Sequence, residues 1–154
     1  MKKMLILAAV ALCFGCHQEP CTDPFPDTGD FEYFIFGTSY GECGGDCAKI
    51  FKLEGSQLFA DDGLEYLSTE EVPFQTTGLS FEKRTLAVEL SQQLPTDLLT
   101  ETNGQIGCPD CRDQGTVFIK IKTGGQVQFW FIDPDDAKYA AFCEAVREAV
   151  QKMK

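Results

Sequence analysis

The chain has 154 residues, a formal net charge of −11, 44% hydrophobic residues and eight cysteines. That length and apolar content fit one packed domain rather than a polar, unstructured tail. The acidity argues against a nucleic-acid partner, whose phosphates require clustered Lys and Arg, and against attachment to anionic lipid by surface charge.

Lys2 and Lys3 precede an apolar run over residues 4–14, which has the length of a signal-peptide core and is too short to cross a bilayer. The run ends at Gly15-Cys16, which resembles the lipobox of bacterial lipoproteins. Cys13 and Phe14 stand where leucine and a small residue are commoner in that pattern. The resemblance implies that Cys16 carries acyl chains such as palmitate and becomes the first mature residue. The protein would then sit on a membrane of the bacterial cell envelope, on the periplasmic side or at the cell surface. The alternative is a plain secretory signal cut near Gly15. Loss of Lys2 and Lys3 with the leader takes the net charge from −11 to −13. Residues 16–30 hold Pro20, Pro24, Pro26 and Gly29, and read as a tether. The expected organisation is therefore a signal peptide over 1–15, a tether over 16–30 and one domain over 31–154.

Within the domain, residues 31–38 read as a strand with two apolar faces, Phe31, Tyr33 and Ile35 on one and Phe34 and Phe36 on the other. Gly37, Gly41, Gly44 and Gly45 supply a loop, and residues 48–53 return as a second strand. A turn at Gly55-Ser56 leads to a short third strand at Leu58-Phe59, and Asp61-Asp62-Gly63 is a further turn. A short strand is expected around residues 71–74. Residues 80–94 read as a helix capped by Ser80 and ended by Pro95, with Phe81, Leu86, Val88, Leu90 and Leu94 as its apolar residues. Residues 96–101 add one helical turn, stopped by Asn103-Gly104. Two alternating runs around Gly124-Gly125 predict a β-hairpin. Asp133, Asp135 and Asp136 suit the start of a helix running to Met153. Its apolar stripe is Tyr139, Phe142, Cys143, Val146, Val150 and Met153, so Cys143 points into the core. Trp130 lies on the face opposite Phe129 and Phe131, and its burial is expected. The expected fold class is α+β: a mainly antiparallel sheet with a mid-chain helix and a C-terminal helix packed on it.

Six cysteines belong to neither the leader nor the lipid site: Cys21, Cys43, Cys47, Cys108, Cys111 and Cys143. In an exported chain an even number predicts disulfides, although six allow fifteen pairings. The expected set is Cys43–Cys47 and Cys108–Cys111 as local loops, with Cys21–Cys143 tying the tether to the last helix. A crossed alternative joins the two loops to each other. A second reading makes Cys43, Cys47, Cys108 and Cys111 the ligands of a structural Zn, since Cys-Pro-x-Cys resembles one knuckle of a zinc ribbon. Thiol redox catalysis at Cys108–Cys111 needs a helix N-terminus beside the first thiol, and the sequence after Cys111 does not start one.

His17 is the sole histidine and stands outside the expected domain, which excludes Ser-His-Asp and Cys-His catalysis there. Pairs such as Asp61/Asp62 and Asp133/Asp135/Asp136 would serve a carboxylate-dependent hydrolase or a Ca²⁺ site. Turn and helix-start chemistry explain the same residues more simply. No residue is assigned as catalytic. Tyr40, Glu42, Asp46 and Asp110 are candidates for a rigid binding edge where the two cysteine loops meet.

The run from Phe34 through Cys47, of the form FGxxYGxCxGxC, with Gly107-Cys-Pro-Asp-Cys111 and Trp130-Phe-Ile-Asp133, is similar to a group of small uncharacterised bacterial predicted lipoproteins. The resemblance spans residues 31–152 and implies the architecture without a mechanism. The expected function is that of a lipid-anchored, disulfide-stabilised, non-catalytic binding or envelope-associated protein. Its expected partners are the membrane, through Cys16, and a basic envelope protein. No cofactor is expected in this reading; the alternatives are a structural zinc protein with four cysteine ligands and an envelope hydrolase.

Overall fold

The computed structural model describes residues 31–41, 47–62 and 72–154. Their element order is β1 (Tyr33–Ser39), β2 (Ala48–Glu54), β3 (Gln57–Ala60), α1 (Phe81–Ser91), a 3-10 helix (Thr96–Thr100), β4 (Gly104–Ile106), β5 (Thr116–Thr123), β6 (Gln126–Ile132) and α2 (Ala140–Met153). The strands form one sheet in the order β3-β2-β1-β5-β6-β4. Every pairing is antiparallel except β4 with β6. The fold is α+β, with one mid-chain and one C-terminal helix.

Register explains the centre of the sheet. Phe34 stands between Leu53 and Ile121, and Phe36 between Phe51 and Ile119. Ile119 pairs in turn with Trp130. Side chains alternate across a strand, so all of these project to one face, where α1 and α2 cover them. From α2, Phe142, Val146, Val150 and Met153 close that layer, and Trp130 is fully buried within it. The other face carries a smaller buried cluster of Ile35, Ala48, Ile50 and Phe118. Tyr33, Val72, Phe74, Phe129 and Phe131 pack around it, partly exposed. Both faces of β1 are thus covered, as its doubly apolar sequence requires.

Several expectations are corrected in detail. Gly37 is not a loop residue but lies inside β1, where a Cβ would collide with the Lys49 carbonyl oxygen. Close approach of two backbones is the reason for glycine there. Phe81 opens α1 but is 59% exposed; Val88 and Leu90 are buried as expected, together with Arg84, Ala87 and Ser91. Ser80 occupies the N-cap position without a side-chain cap bond. Phe74 makes a single bridge with Asp61 rather than a strand. The last helix begins at Ala140, not at the aspartates. Asp136 N–H bonds the Asp133 carbonyl and Tyr139 N–H bonds the Asp136 carbonyl, so two tight turns precede the helix. The Gly124-Gly125 hairpin is as expected, both glycines having positive φ (57° and 78°). No helix among the described residues is long and apolar enough to cross a membrane.

Candidate functional site

The loop edge at one end of the sheet is built from the ends of β1, β2, β5 and β6. β1 delivers Tyr40 and Gly41; Tyr40 N–H bonds the Cys47 carbonyl and closes the first cysteine loop. Residues 107–115, between β4 and β5, form the second. Cys108 and Cys111 are joined by a disulfide, and Cys111 N–H bonds the Cys108 carbonyl across the turn. Cys47 is disulfide-bonded as well. Cys43, Cys21, Glu42 and Asp46 lie outside the described residues, as do the expected leader and tether.

Asp110 joins the two loops. One carboxylate oxygen accepts Gly41 N–H from the first loop and the other accepts Gly115 N–H from its own. Its backbone N–H reaches the Gly115 carbonyl, and its φ is 58°, a conformation that aspartate tolerates better than most residues. The Tyr40 ring packs on Gly115, whose missing side chain makes room for it: a Cβ there would meet Tyr40 Cε1 at 2.5 Å. The crossed disulfide arrangement is therefore corrected. Cys108 is bonded to Cys111, and described contacts between the loops are polar and aromatic.

Asp133 supports this edge from below. It is buried at the end of β6, and Oδ2 accepts Cys108 N–H at 3.1 Å. Oδ1 accepts Asp135 N–H at 2.9 Å and the Gln114 amide at 3.1 Å. Gln114 also donates to the Cys108 carbonyl and accepts Arg112 N–H. Arg147, on α2, donates to the Gln114 carbonyl. The Asp135 N–H and the Gln114 amide, with Cys108 N–H and the Arg112 charge, hold the Asp133 carboxyl below its ordinary range against the opposing effect of burial. Sequence reasoning missed Asp133, Gln114 and Arg147 as members of the edge. The available signal was Gly107, where a Cβ would fall 2.7 Å from Asp133 Cβ.

The expected Cys21–Cys143 bridge is corrected: Cys143 is a free thiol on the core face of α2. Desolvation raises its pKa to about 12, so it stays protonated at neutral pH. The Cys108 and Cys111 sulfurs are engaged in their disulfide, so ligation of Zn by that pair would require their reduction. No group of three potential metal ligands occurs among the described residues. Asp61 is likewise engaged, accepting Ile50 N–H at 2.8 Å, and partial burial raises its pKa.

Behind the edge, on the helix side of Tyr40, a half-open groove of about 480 Å³ runs between β1 and α2. No protein-family model, curated protein or solved structure matches the chain.

Proposed function

We propose that this chain is an exported, lipid-anchored, non-catalytic binding protein of the bacterial cell envelope, which presents the loop edge to a basic envelope protein. The observation that carries this reading is the bracing of the edge. Asp110 and Asp133, the acids that tie it together, direct their oxygens at backbone and amide N–H groups of the edge itself. Carboxylates held in this way fix loop geometry and are poorly placed for proton transfer. A rigid surface lowers the entropy lost on binding. Tyr40, 42% exposed, projects from this braced frame as an aromatic anchor of the kind found at interface centres. The acidity of the chain favours a basic partner and faster encounter with it.

Two experiments test the two halves of the proposal. Palmitate labelling in a bacterial host should mark the wild-type protein, and Cys16→Ser should lose both label and membrane association; equal labelling of the variant would refute the anchor. Lysozyme serves as a basic probe for the edge. Surface plasmon resonance should show binding at low salt that weakens as salt rises and is reduced by Tyr40→Ala. Lack of binding at low salt would refute a lysozyme-directed role.

A further inference from the structure

We propose that the groove between β1 and α2 binds a neutral, polyhydroxylated ligand, namely a short oligosaccharide. The floor of the groove is Thr38, which belongs to the helix-covered face of β1 and is only 8% exposed. Its hydroxyl has no hydrogen-bond partner among the described residues. The hydroxyl oxygen is not sealed from solvent, and it opens onto a space large enough for a small ligand. One wall is Tyr40, held by the packing of its ring on Gly115 and by the bond of its N–H to the Cys47 carbonyl. An aromatic ring fixed in this way offers its face to the C–H groups of a sugar ring with little loss of freedom.

The opposite wall is α2, and its polar groups select the ligand class. Glu144 and Glu148 supply acceptors, while Arg147 and Gln151 supply donors. Lys152 stands 3.4 Å from the Glu148 carboxylate, and Lys154 adds a further ammonium at the rim. The signs are interleaved, so a ligand with one dense charge meets repulsion beside every attraction. A hydroxyl group both donates and accepts, and satisfies acceptor and donor rows together. The groove thus favours a sugar over a phosphate or carboxylate. This inference goes beyond the loop edge: the groove meets that edge at Tyr40, but Gln151 and Thr38 belong to the groove alone.

The test is an amide NMR titration of the full-length, oxidised protein with chitotriose, cellotriose and maltotriose, using citrate as the charged control. At least one saccharide should give saturable shifts at Thr38, Tyr40, Arg147 and Gln151, with an affinity indifferent to salt. Gln151→Ala, an exposed substitution, and Thr38→Val, which keeps the shape, should each weaken that affinity roughly tenfold, the size of one well-made hydrogen bond. Thermal unfolding of Gln151→Ala should match wild type, so a loss there is a loss of binding. Two results would overturn the proposal: no saturable shift with any of the three sugars, or salt-sensitive saturation by citrate alone. Since Gln151→Ala leaves the loop edge intact, binding of lysozyme to that variant reports on the edge independently.

Discussion

The helix-covered face of the sheet and the loop edge are held together by different physics. The face consists of large apolar side chains in register, Phe34, Phe36, Ile119, Trp130 and Val146 among them, and its cohesion comes from water exclusion. The edge has few buried apolar groups. Its order rests on one described disulfide, two aspartates, a glutamine and an arginine. Apolar burial is insensitive to pH and redox state, whereas both act directly on carboxylates and disulfides. The two regions should therefore fail under different conditions.

The largest expected effect lies in the face. Phe36→Ala should cost about 3–5 kcal/mol, measured by urea unfolding, because Phe36 is fully buried and stacks on Phe34 and Phe51. A loss below about 1 kcal/mol would mean that the layer is loosely packed. The next effect belongs to the edge. Gly115→Ala should cost about 2–4 kcal/mol, combining positive φ (77°) with a clash against Tyr40. It should also displace Tyr40 and abolish binding at the edge, which Phe36→Ala should not do in the molecules that remain folded.

Asp133→Asn should cost about 1–3 kcal/mol, since an amide cannot accept all three of the N–H groups that converge on this carboxylate. The sign with pH follows from its lowered pKa. The contribution of Asp133 is complete above its unfolded value of 3.8 and is lost as pH falls through the lower folded value. The difference in stability between wild type and Asp133→Asn should therefore shrink on acidification below pH 3.8. A constant difference across that range would remove Asp133 from the acid response. An effect of similar size on global stability is expected from Cys108→Ser/Cys111→Ser. A loop this short constrains the unfolded chain by only about 2 kcal/mol. Amide exchange at Gly41 and Gly115 should nonetheless rise, because the disulfide positions the Asp110 acceptor. Unchanged exchange there would show that Asp110 holds the loops without it.

The contrast between face and edge also marks what the sequence makes legible. Periodicity reports burial, so the α2 stripe, the burial of Trp130 and the two-faced character of β1 are readable from residue order. The Gly-Gly hairpin is readable because its turn demands positive φ. β4 is not, since three residues carry no period and its partner β6 is distant in sequence. The edge is legible only in its cysteines and Tyr40. Asp133 looks like helix-start chemistry because Asp-Pro-Asp-Asp suits that role in isolation. What redirects it is the approach of residues 107–114, a long-range event with no local signature. α1 is obscured for a related reason: Phe81 fits an apolar pattern that the tertiary structure leaves in solvent.

The strand order carries a last consequence. The sheet ends in its two shortest strands, β3 with four residues and β4 with three. The outer side of β3 is also occupied, as Gln75 and Leu79 donate their N–H groups to the carbonyls of Ala60 and Leu58. Among the described residues, neither margin offers a long row of unpaired peptide groups to a neighbouring copy. Crowded molecules of this chain are thereby denied the simplest route to fibrils, the head-on zippering of one sheet to the next.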